Sequence, residues 1–108
     1  MKGRLIWAAL AGVLACGMSA AQADAQAGRA KARMCAVCHG EFGVSISPNT
    51  PNLAGQPGIY LAEQLKAYRG GKRSNEIMSV IAKPLTDAEI EDLSAWFASV
   101  AIEVKPRK

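Results

Sequence analysis

The sequence predicts an all-α domain, and three observations carry that expectation. Ile90, Leu93, Trp96, Phe97 and Val100 recur at the spacing of a single helix face. Ahead of them, Thr86-Asp87-Ala88-Glu89 has the form of a capping box, in which hydroxyl and carboxylate each satisfy a free backbone N–H. No stretch alternates apolar and polar residues as a half-buried strand would, and no internal repeat divides the chain.

Taken in order, the elements begin with a leader. Lys2 and Arg4 precede an apolar run from Leu5 to Ala15, and small residues lead to Ala21-Gln22-Ala23. This is the pattern of a secretory signal peptide, residues 1–23, cleaved after Ala23. A membrane span needs about 20 apolar residues, which this run does not supply. Val13-Leu14-Ala15-Cys16 loosely resembles a lipoprotein processing site, but Leu14 is a poor residue there, so a lipid anchor on Cys16 is the lesser alternative.

The remaining domain, residues 24–108, opens with Asp24 as the cap of a helix running through Met34 towards Cys35. Gly28, Ala32 and Cys35 give that helix one slim face, suited to close approach by another helix. Gly40, Gly43, Pro48, Asn49, Pro51, Asn52 and Gly55 mark a long loop from Gly40 to Gln56, of the kind that is usually functional. Pro57 suits the first turn of a second helix with Leu61, Leu65 and Tyr68 on one face, ended by Gly70-Gly71. Ser74 or Asn75 opens a short helix carrying Ile77, Met78 and Ile81, stopped by Pro84. The capped last helix then completes the chain, with Trp96 and Phe97 expected to pack on the Gly28 face of the first.

Composition narrows the function. Half of the 108 residues are apolar and a fifth are charged, which excludes disorder, collagen and a pure membrane protein. Removing the leader takes the net charge from +4 to +2, too mild to suggest a nucleic-acid partner. The 108 residues less the leader's 23 leave 85, near the size at which a protein core alone is marginal. A Cys35–Cys38 bridge would close too short a loop to provide the missing reinforcement.

The chemistry is concentrated in Cys35-Ala36-Val37-Cys38-His39, and C-x-x-C-H is the attachment sequence of c-type haem. Two cysteines three apart on a helical turn face the same way, so each can form a thioether to a haem vinyl group. His39 then offers its imidazole to the iron as proximal ligand. Two other uses of C-x-x-C stay in view. A thiol–disulfide pair expects a βαβ setting, and zinc expects a second pair of ligands, which the domain lacks.

Further segments match in order: Pro51-Asn52-Leu53-Ala54-Gly55-Gln56, Tyr60-Leu61 with Gln64-Leu65, Arg73-Ser74-Asn75 with Met78, and Leu85 to Ile90 with Leu93 to Phe97. With Cys35 to Gly40 they make the chain resemble the class I c-type cytochromes of the small bacterial periplasmic kind. It is also similar to one half of the dihaem cytochromes of the c-four type. The resemblance implies a class I cytochrome c fold, about four helices around one covalent haem c and its iron. It implies Met78, the only methionine after His39, as distal ligand; the rival reading is a core gap-filler. It also implies that Pro51 offers its carbonyl to His39 Nδ1–H, with Pro48 as competitor. Met34 adjoins Cys35 and is not expected to reach the far haem face. Tyr60, Tyr68 and Arg73 either line the haem and reach its propionates or are ordinary core and surface.

A six-coordinate iron has no open site, so the expected function is a periplasmic electron carrier and not an enzyme. The alternatives are a cytochrome subunit of a periplasmic dehydrogenase or oxidase, or a haem sensor or peroxidase-like enzyme with Met78 off the iron. Partners are then donor and acceptor redox proteins, with no small-molecule substrate, and the chain is a monomer or weak dimer. Lys66, Arg69, Lys72 and Arg73 form a basic run against the acidic Asp87, Glu89, Glu91 and Asp92. These are solvated faces, or else the basic run steers an acidic partner.

Overall fold

In the computed structural model, which describes residues 22–108 together with Gly12 and Gly17, helix α1 spans Ala25–Lys31. The expected leader, Cys16 included, lies almost wholly outside the described residues. Asp24 starts α1 by turning one carboxylate oxygen onto the N–H groups of Gln26 (2.9 Å) and Ala27 (3.2 Å). The single first helix expected from sequence is broken at Ala32. There the N–H groups of Cys35 (2.9 Å) and Ala36 (3.1 Å) share the Ala32 carbonyl, a tightened turn that separates α1 from α2, Arg33–His39. Helix α2 therefore carries the whole C-x-x-C-H motif, further than the sequence suggested, and Gly40 at φ +84° ends it.

The loop that follows has no regular structure, but it is pinned. Gly43, at φ +79°, accepts through its carbonyl from Leu53 N–H (2.7 Å) and Ala54 N–H (3.1 Å). Gly55 N–H donates to the Phe97 carbonyl (2.9 Å), tying the loop to the last helix. Helix α3 is Gly58–Gly70, with Pro57 as its N-cap residue and not inside the first turn; Gly71 at φ +80° reverses the chain after it. Helix α4 is Met78–Ala82. Asn75 caps the approach to it by accepting from the N–H groups of Ile77 and Met78 (3.0 Å each). Helix α5 is Asp87–Ser99, and its capping box is formed by Thr86 and Glu89 as expected. The described residues contain no strand.

Helix α5 is the spine: α1 and α3 both pack on it, and α4 packs on α3. Gly28 permits the first of these contacts, because a Cβ there would collide with the Asp92 carbonyl and press on Trp96 Cβ. The Asp24 N–H donates to Asp92 Oδ1 (2.8 Å) at the same crossing. The core is thin. Among the described residues Ile90 and Leu93 are the only large side chains fully enclosed, while Ala32, Ala54, Ala62 and Ala82 fill much of the rest.

Trp96 and Phe97 separate, which corrects the expectation that both meet Gly28. Trp96 packs at Gly28 under the Arg29 guanidinium (5.2 Å to the ring centroid) and stays partly exposed. Phe97 is buried and turns instead to the loop at Gly43. Phe97→Ala is accordingly expected to cost about 3–5 kcal/mol in urea unfolding of the haem-loaded protein. Trp96→Ala should cost only about 1–2 kcal/mol, and the reverse order would reject this assignment of the two rings.

The charged runs meet across the packed helices. Lys66 pairs with Glu91 (2.7 Å), Arg69 with Asp87 (2.5 Å) and Lys31 with Glu89. The Arg69 hydrogen bond holds the Asp87 carboxyl below its usual range, and Lys31 does the same for Glu89. Two members of the basic run, Lys66 and Arg69, are thus paired with α5, while Lys72 and Arg73 follow the end of α3. No described helix is long and apolar enough to cross a membrane.

Candidate functional site

The helices and the pinned loop leave a cavity of about 400 Å³, the scale of a ligand site and not of a packing void. Cys35, Cys38, His39, Pro51 and Met78, dispersed over 44 positions of sequence, all line it. Cys35 and Cys38 come from α2, Met78 opens α4, and Pro51 comes from the loop.

The two cysteines are free thiols, Cys35 half-buried and Cys38 exposed. Burial pushes the Cys35 thiol up to about 11, and the opposing charge of Lys31 does not offset it. Burial thus gives no activation to the Cys35 thiol. Nor do three or more His, Cys, Asp or Glu side chains gather as a metal cage among the described residues.

His39 is buried, and its Nδ1 lies 2.8 Å from the Pro51 carbonyl oxygen. A carbonyl only accepts, so the proton sits on Nδ1 and the Nε2 lone pair is left free for a metal. Loop contacts hold Pro51 in place. The adjacent Asn52 accepts from Ser45 N–H (2.7 Å) through its side chain and from Gln56 Nε2 (3.1 Å) through its carbonyl. Sequence reading had Asn52 as a loop marker and as part of the matched segment Pro51 to Gln56, without a bonding role.

The rest of the lining is mainly apolar, with Leu61, Leu65, Ile81 and Leu85 among its walls. Phe97 reaches it from α5, and Met34 does so beside Cys35. Tyr60, Tyr68 and Arg73 line it as well. No Asp or Glu does. An apolar slot with two free thiols on one helical turn, an oriented imidazole and a thioether fits a flat, mostly apolar iron macrocycle. The residues present thus suit haem.

A family model for cytochrome c matches residues 25–101. Cytochrome c4 of Pseudomonas aeruginosa is 42% identical over 88 residues, covering 82% of this chain and 44% of that protein. Cytochrome c-554(548) of Halomonas halodenitrificans is 40% identical over 79 residues, covering 70% of this chain and 95% of that one. Among solved structures, reduced recombinant cytochrome c4 from Pseudomonas stutzeri superposes with a TM-score of 0.70 at 38% identity. That match covers 73% of this chain and 46% of the other. The chain thus spans less than half the length of the cytochrome c4 relatives that it matches.

Proposed function

Because the chain belongs to the cytochrome c family, we propose that it carries single electrons between redox proteins of the periplasm. Members of this family hold haem c covalently, and that group supplies a one-electron change at its iron. The protein's own residues supply attachment, orientation and a dry pocket. Cys35 and Cys38 are assigned as the two thioether tethers, one helical turn apart on α2. His39, its ring fixed by Pro51, would serve as one ligand to the iron. Met78 is assigned as the other; a thioether favours ferrous iron relative to a second imidazole and raises the potential.

The single observation that carries this reading is that one cavity gathers Cys35, Cys38, His39 and Met78. With haem bound, the apolar walls would keep water from it, and ligation by both His39 and Met78 would leave no place for peroxide or oxygen. A carrier role follows, and an enzymatic one does not. Export through the expected leader would deliver the chain to the compartment where such carriers work.

The test uses the purified haem-loaded protein. A haemochrome assay is expected to give one c-type haem per chain, with a reversible one-electron couple and a ferrous form that resists carbon monoxide at neutral pH. Rapid carbon monoxide binding by the unmodified protein would reject the carrier and favour a sensor or peroxidase.

A further inference from the structure

Helix α4 has five residues and begins at Met78. A helix of that length is not stable on its own and depends on what holds its ends. Its anchorage is uneven. Ala82 at the far end and Leu85 beyond it are buried, while Ile77 and Val80, on either side of Met78, are exposed. The near end is secured by Asn75. Its carbonyl accepts from Ser79 N–H (3.0 Å), and its side-chain oxygen accepts from the N–H groups of Ile77 and Met78 (3.0 Å each). In return its own N–H donates to Ser79 Oγ (3.0 Å). By these bonds Asn75 is the cap of the turn that presents Met78.

Asn75 and Met78 both line the cavity, Asn75 at its exposed edge and Met78 further in. The Met78 backbone is therefore fixed from one side by a polar residue that solvent can reach. A thioether is a neutral and weak ligand to ferric iron, so its residence there depends on how firmly the chain presents it. Withdrawing the sulfur by a backbone movement requires the turn from Asn75 to Ser79 to open. While the cap stands, the sulfur is held ready and its return needs little further ordering.

Resting on the assignment of Met78 above, we propose that Asn75 is the positioning residue that keeps the Met78 sulfur on ferric iron, by capping the backbone turn that carries it. Asn75 acts through Met78 and does not itself meet the iron. Local fraying of residues 75–79 and opening of the sixth position are then one event. The cap sets how often the closed carrier becomes a form that admits external ligands.

The experiment titrates imidazole into the ferric, haem-loaded protein. Imidazole takes the position that the sulfur vacates, so its apparent affinity reads the open fraction. Wild type, Asn75→Ala, Asn75→Ser and Thr86→Ala are compared. Serine keeps a capping oxygen without the amide. Thr86 caps α5 in the same manner and lies outside the cavity lining, so Thr86→Ala reports the general loss of one cap. Asn75→Ala is expected to raise the apparent imidazole affinity about fivefold, the size of one lost cap. It should also speed hydrogen exchange at the Ile77 and Met78 amides. Asn75→Ser and Thr86→Ala should both stay within about twofold of wild type. Haem content should be the same in all four. An unchanged affinity in Asn75→Ala, a serine variant that behaves as the alanine one, or an equal rise in Thr86→Ala overturns the proposal while leaving the carrier reading intact. Absence of the methionine–iron charge-transfer band in the wild type would instead remove the assignment on which it rests.

Discussion

Replacing Cys35 and Cys38 together by alanine is expected to abolish the stable native fold, and not only haem retention. The cavity they line is about 400 Å³. Leaving a void of that size dry and uncollapsed costs on the order of 10 kcal/mol, at about 24 cal/mol per Å³. Small domains have about 5–15 kcal/mol of total stability, so the two quantities are comparable. Water entering the slot relieves part of this cost but contributes no packing to its apolar walls. Ile90 and Leu93, the only large side chains fully enclosed among the described residues, cannot hold the helices alone. Far-UV circular dichroism of the haem-free double variant should show reduced helix and a shallow, non-cooperative urea transition. Native helix content with a sharp transition would mean that the helices close without the cofactor.

Met78→Ala should leave the fold largely standing while changing the iron completely. Met78 is only partly buried and opens the five-residue helix α4, whose start is capped independently by Asn75. Truncating it removes the thioether and little of the core. The weak near-infrared methionine–iron band should vanish, carbon monoxide should bind the ferrous form, and the potential should fall. Met78→His should restore six-coordination yet keep the potential low, because imidazole favours ferric iron more than a thioether does. The assignment of Met78 is falsified if Met78→Ala changes neither the spectrum nor the potential.

Local chemistry was legible in the sequence and tertiary partners were not. The Asp24 cap, the Thr86–Glu89 box and the stop at Gly71 rest on side chains that bond or bend the backbone within a few residues. The break at Ala32 has no such marker, since alanine favours helix and neither glycine nor proline stands there. Adjacent residues such as Trp96 and Phe97 both fall within one apolar stripe, so periodicity cannot say which turns to α1 and which to the loop. Likewise the basic run on α3 looked exposed because its partners, Asp87 and Glu91, arrive on α5 from about 20 residues further on.

The site divides in the same way. Cys35, Cys38 and His39 lie within five consecutive residues, so their grouping needs only one helical turn. Pro51 faces His39 because Gly43 and Asn52 fold the intervening loop, a path that no periodicity encodes. Arg73, which lies over the Tyr68 ring and donates to Gln64 Oε1, was legible with them as three nearby residues and not as a geometry. It needed the reversal at Gly71 to become one.

The crossing of α1 on α5 also sets an order in time. Asp24 and Asp92, joined by a hydrogen bond at that crossing, are 68 residues apart in the chain. Their helices are near the two ends of the domain, and α3 also relies on α5 for its packing. A growing chain therefore has nothing to close upon until Asp87–Ser99 has emerged. Until then the Cys35–His39 segment remains in open chain, with both thiols accessible. Closure of the fold is thus expected late, once the last helix is available.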